Sequence, residues 1–85
     1  MSKLTFSEIA WNDYLYWQSQ DKKTLIKLND LLKEIQRTPF TGSGKPEPLK
    51  HDKSGLWSRR INEADRLVYR VNGDTIEISQ CRGHY

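Results

Sequence analysis

The chain has 85 residues, 35% of them hydrophobic and 29% charged, with a net charge of +3. That length holds one small domain with a modest core, and no stretch nears the ~20 apolar residues of a membrane span. A lone cysteine, Cys81, excludes an internal disulfide framework, and nine aromatic residues argue against disorder.

Residues 4–6, Leu-Thr-Phe, read as a short first strand. Ser7 is suited to cap a helix, with Glu8 in its first turn. Ile9, Trp11, Tyr14, Leu15 and Trp17 carry that helix to about Gln20. The spacing assigns most of these side chains to a core face, with surplus aromatics such as Tyr16 available to a homodimer interface. Asp21 caps a second helix, in which Leu25, Leu28, Leu32 and Ile35 recur at steps of three and four. Pro39 disfavours helical geometry at Thr38, so the helix ends near Arg37. With almost nothing between them, the two helices form a hairpin.

Residues 40–53 turn to Thr, Gly, Ser, Pro and Lys and read as a loop or extended connector. Gly44-Lys45 is not a phosphate-binding loop, because Pro46 stands where Ser or Thr is needed. Strand-like alternation follows at 56–62, 66–72 and 75–82, with Asn72-Gly73 marking a two-residue hairpin turn. The fold class is therefore α+β: an N-terminal strand and a two-helix hairpin packed on one face of a twisted antiparallel sheet, in a single domain over residues 1–85.

The charge is uneven. Every arginine (37, 59, 60, 66, 70 and 82) lies after residue 36, and arginine's planar fork suits phosphate and carboxylate. An exposed sheet face carrying these residues points to an anionic partner, nucleic acid first. Glu47 is held between Pro46 and Pro48, with Lys50 and His51 close behind, and these types can perform acid–base work or bind phosphate. If the runs at 56–62 and 66–72 pair, Arg60 and Arg66 come together. They then either hold an anion between them or are neutralised by Glu63, Asp65 or Glu77. His84-Tyr85 follows the last strand run and offers an imidazole and a stacking ring. A zinc site built on His51, Cys81 and His84 is disfavoured by its spacing, and Cys81 reads as a packed core residue. The first four residues lack the apolar run of a secretory signal, and with one cysteine they fit a cytoplasmic protein.

The segments Gly44-Lys45-Pro46-Glu47-Pro48-Leu49-Lys50-His51, Ser54-Gly55-Leu56-Trp57-Ser58-Arg59-Arg60-Ile61, Arg66-Leu67-Val68-Tyr69 and Cys81-Arg82-Gly83-His84-Tyr85, with Tyr14-Leu15-Tyr16-Trp17-Gln18, resemble the YoeB toxins of the RelE/ParE toxin–antitoxin superfamily. The resemblance implies a bacterial cytoplasmic toxin that a YefM-type antitoxin neutralises, with contact to DNA only through the antitoxin complex. It implies an endoribonuclease that enters the ribosomal A site and cuts mRNA without a metal or other cofactor. Glu47 is then the general base, Arg66 the phosphate stabiliser and His84 the general acid. Lys50, Arg60 and Tyr85 hold the substrate. In one departure, Gly83 stands where the family commonly has an aromatic. The alternative function is that of a ParE-like toxin that grips a protein such as DNA gyrase and catalyses nothing.

Overall fold

A computed structural model describes residues 2–84. Strand β1 (Lys3–Phe6) leads into α1 (Glu8–Gln20) and α2 (Lys22–Arg37), followed by β2 (Glu47–Pro48), β3 (Trp57–Arg60), β4 (Arg66–Asn72) and β5 (Thr75–Gln80). Both helices begin as their capping residues dictate. Ser7 Oγ accepts from the Ala10 N–H at 3.0 Å. Asp21 closes one helix and opens the next: its N–H donates to the Trp17 carbonyl at 3.0 Å, and its carboxylate accepts from the Thr24 N–H at 3.1 Å. That double use is why no linker separates the helices.

The five strands form one sheet in the order β1-β5-β4-β3-β2. β2 to β5 run antiparallel to their neighbours, but β1 lies parallel to β5, so the sheet is mixed. The helix pair provides the crossover that takes the chain from β1 at one edge to β2 at the other. Leu28, Leu31, Leu32 and Ile35 of α2, with Ala10 and Trp17 of α1, pack on Leu67, Tyr69, Ile76 and Ile78 of the sheet. The opposite face of the sheet carries no helix. The first-helix aromatics divide: Trp17 is buried, while Trp11 and Tyr16 are exposed. Trp11 stacks on Tyr14, and Phe6 meets both rings edge-on. Among the described residues no helix is long and apolar enough to cross a membrane.

Two local expectations shift. The hairpin turn is centred on Gly73 and Asp74 rather than on Asn72-Gly73, because Asn72 pairs directly with Thr75. Gly73 has φ +62° and Asp74 no positive φ, the pattern of a type II′ turn. The register also slips between Val68 and Tyr69. Val68 pairs with Gln80 and Tyr69 with Ile78, so Ser79 is an extra residue that ends the regular ladder.

Candidate active site

Successive residues of a strand point to opposite faces, so the adjacent Arg59 and Arg60 must part. Arg59 turns toward the helices and is fully buried. This corrects the expectation that the strand arginines share an exposed face. Its guanidinium pairs with the Glu34 carboxylate and donates to the Thr38 carbonyl at 2.6 Å and the Thr41 carbonyl at 2.9 Å. Its Nε donates to the Tyr69 hydroxyl at 3.0 Å, which in turn donates to the Pro39 carbonyl at 2.7 Å. A buried arginine needs such partners. The outcome is that the start of the connector is fastened to α2 and β4. Glu34 also accepts from the Ser43 N–H at 2.6 Å. That bond foremost, then the Ser43 hydroxyl and Arg59, holds the Glu34 carboxyl below its usual range against the opposing effect of burial.

Beyond Ser43 the connector rejoins the sheet. The Arg60 N–H donates to the Gly44 carbonyl at 2.7 Å. Two residues after Lys45 comes β2, with Glu47 paired to Ser58 and Pro48 to Trp57. The region expected to be loop or extended connector thus contains a two-residue strand, too short for alternation to reveal. Directly paired residues share a face. Glu47, Ser58, Arg60 and Arg66 therefore all lie on the helix-free face, since Arg60 pairs with Arg66. A small cavity of about 110 Å³ is lined by Lys45, Glu47, Ser58, Arg60 and Arg66. Larger hollows lie elsewhere, among them one of about 510 Å³ between α1, α2 and β1, but the small one gathers the cations Lys45, Arg60 and Arg66 around the Glu47 carboxylate.

The Arg66 Nη1 donates to the carbonyls of Asn62, Glu63 and Asp65 at 2.9, 3.1 and 3.1 Å. These neutral acceptors aim the guanidinium without cancelling its charge. Among the described residues Arg59–Glu34 is the only ion pair, so neither Arg60 nor Arg66 is neutralised by Glu63, Asp65 or Glu77. The uncompensated pair favours an anion between them.

His84 does not line this cavity; the residue before it is tied to Arg66 instead. The Gly83 carbonyl accepts from the Arg66 N–H at 3.0 Å, and the His84 carbonyl accepts from Gln80 Nε2 at 3.3 Å. Helix α1 secures the preceding residues. The Trp17 Nε1 donates to the Cys81 carbonyl at 2.8 Å, the Cys81 N–H to Asp13 at 3.0 Å, and the Arg82 guanidinium lies 3.5 Å from the Tyr16 ring centre. Tyr16 is thus engaged within the chain. Lys50 lies on the far side of Glu47, in an open hollow lined also by His51 and Lys53. Tyr85 falls outside the described residues. Lys45 and Ser58 were missed by sequence reasoning. Ser58 stands two residues before Arg60 on β3, and the two-residue period of a strand was the available signal, whereas Lys45 precedes β2 with φ +52° and no periodicity marks it.

Comparison with known proteins shows the family. Residues 6–85 match the model of the "YoeB-like toxin of bacterial type II toxin-antitoxin system" family. The chain belongs to this family. It is 59% identical over 83 residues to toxin YoeB of Escherichia coli strain K12, covering 98% of this chain and 99% of that one. A solved YoeB dimer from Staphylococcus aureus is similar with a TM-score of 0.91 and 48% identity, over 99% of this chain and 98% of that one. A heterotetrameric YoeB–YefM toxin–antitoxin complex from the same organism also gives 0.91 at 48% identity, over 100% and 99%. As a member of the YoeB-like family, the chain is a toxin of a type II toxin–antitoxin system.

Proposed function

We propose that this toxin is a ribosome-dependent endoribonuclease that cuts mRNA in the A site by acid–base attack of a ribose 2′-OH. The observation that carries this reading is the direct pairing of Arg60 with Arg66, uncompensated by any described carboxylate, beside Glu47. Glu47 removes the 2′-OH proton. The 2′-oxygen attacks the adjacent phosphorus, and the bond to the 5′-oxygen breaks. Arg66, Arg60 and Lys45 stabilise charge on the phosphoryl oxygens. His84, an imidazole of the kind that exchanges protons near neutral pH, protonates the departing 5′-oxygen. A 2′,3′-cyclic phosphate remains on the upstream fragment. Lys50 and Tyr85 hold the flanking nucleotide. The cavity is large enough for one phosphodiester group and not for a length of RNA, so the ribosome supplies the remaining alignment of the message.

The same reading gives the toxin a YefM-type antitoxin and a second copy of itself as partners, as the Staphylococcus aureus relative has, and places it in the bacterial cytoplasm with the ribosome. The test is to map RNA ends after mixing the toxin with ribosomes stalled on a defined message. Cleavage at the A-site codon with a 2′,3′-cyclic or 3′-phosphate end is expected. An intact message, a 3′-hydroxyl end, or inhibition of gyrase supercoiling without RNA cutting would overturn it.

A further inference from the structure

The turn before Arg66 is locked by the Asn62 side chain together with a backbone bond. Asn62 Oδ1 accepts from the N–H groups of Ala64 and Asp65, both at 2.8 Å, and the Ile61 N–H donates to the Asp65 carbonyl at 3.0 Å. The Asp65 carboxylate therefore projects from a fixed base. Its Oδ1 accepts from the Gly83 N–H at 2.7 Å, while the Arg66 N–H donates to the Gly83 carbonyl at 3.0 Å. Adjacent residues thus grip both ends of one glycine, immediately before His84. A bond from an N–H to an ionised carboxylate is stronger than one between neutral groups. Gly83 has φ +77°, a left-handed conformation that other L-residues adopt at a cost and Asn with the least. A Cβ added there would meet nothing within 4 Å, so conformation rather than space selects glycine.

We propose that Asp65 is a positioning residue: by holding the Gly83 N–H while Arg66 holds the Gly83 carbonyl, it fixes the direction in which the chain presents His84 to the phosphate bound at Arg66. This rests on the nuclease reading above.

The test compares Asp65→Ala, which loses the acceptor, with Asp65→Asn, which keeps an oxygen that can accept. In NMR spectra of the free toxin, the Gly83 amide proton should move upfield in Asp65→Ala and stay near its wild-type position in Asp65→Asn. In single-turnover cleavage on programmed ribosomes, Asp65→Ala should lower the saturated rate by about tenfold or more, the scale of a misplaced catalytic group. The half-saturating toxin concentration should not change, and Asp65→Asn should recover most of the rate. Gly83→Ala should show the same loss and Gly83→Asn a smaller one. Equal losses in Asp65→Ala and Asp65→Asn, a wild-type rate in Asp65→Ala, or an effect confined to the half-saturating concentration would overturn the proposal. A wild-type toxin that cuts nothing would remove the nuclease reading instead. The Gly83 amide would then decide the tether alone, an unmoved signal in Asp65→Ala overturning it.

Discussion

Arg60 and Arg66 are direct cross-strand partners on the helix-free face of the sheet, and no carboxylate of the described residues pairs with either. Like charges at directly opposed strand positions are destabilising by a few tenths to about 1 kcal/mol. Arg60→Gln should therefore leave the fold unchanged or stabilise it by up to about that amount, measured by urea denaturation, while weakening RNA cleavage. A clear loss of stability in Arg60→Gln would mean that the pair is not repulsive.

The acid–base roles predict large kinetic effects with intact folding. Glu47→Gln, Arg66→Ala and His84→Ala should each lower single-turnover cleavage by at least about a hundredfold. Glu47 is exposed and makes no side-chain hydrogen bond among the described residues, so Glu47→Gln should unfold at the wild-type denaturant concentration. Wild-type cleavage in any of the three variants would remove that residue from the site.

The buried Arg59 predicts a stability effect away from the chemistry. Glu34→Ala removes its only ionic partner among the described residues but leaves the carbonyls of Thr38, Thr41 and Ser43, so the cost should be about 1–3 kcal/mol by denaturant unfolding. The pH dependence has a definite sign. The folded-state pKa of Glu34 is lowered, chiefly by the Ser43 N–H. Its contribution is therefore fully present above the unfolded carboxyl value near ~4.3 and is lost as pH falls through the lower folded value. Glu34→Gln should flatten that part of the acid stability profile.

Cys81 should be inert while the chain is folded. Burial foremost, then the nearby Asp13 charge, pushes its thiol up to about 12. The thiolate is the reactive form, so a thiol reagent at pH 8 should label the native toxin at least about a hundredfold more slowly than the urea-unfolded one. Similar rates would place the thiol at the surface.

The sequence made the helices legible because Ser7, Asp21 and Pro39 mark their ends, and the Leu spacing with Ile35 marks the buried face of α2, whereas on α1 the expected core face fails, Ile9, Trp11 and Leu15 being exposed. β4 was legible for the same reason, Leu67, Tyr69 and Val71 alternating with residues of the other face. The parallel pairing of β1 with β5 was not, since nothing local in Leu4-Thr5-Phe6 states which strand it joins. The site was readable in its parts, Glu47, Arg60 and Arg66, but the register that opposes the two arginines depends on the Asn62–Asp65 turn, whose Asn62 cap is a side-chain bond invisible to periodicity. Arg59 was misread for a related reason: composition counts arginines, whereas the pleat sends neighbours to opposite faces.

The position of β5 carries a consequence for how the toxin comes into being. It follows β2, β3 and β4 in the chain, yet it lies between β1 and β4, so β1 has no neighbour to pair with until translation has passed Gln80. β2, β3 and β4 can pair with one another before that point, but β1 joins the sheet only through β5, and a nascent chain still short of β5 cannot assemble the tail fastening that α1 and the Asn62–Asp65 turn provide.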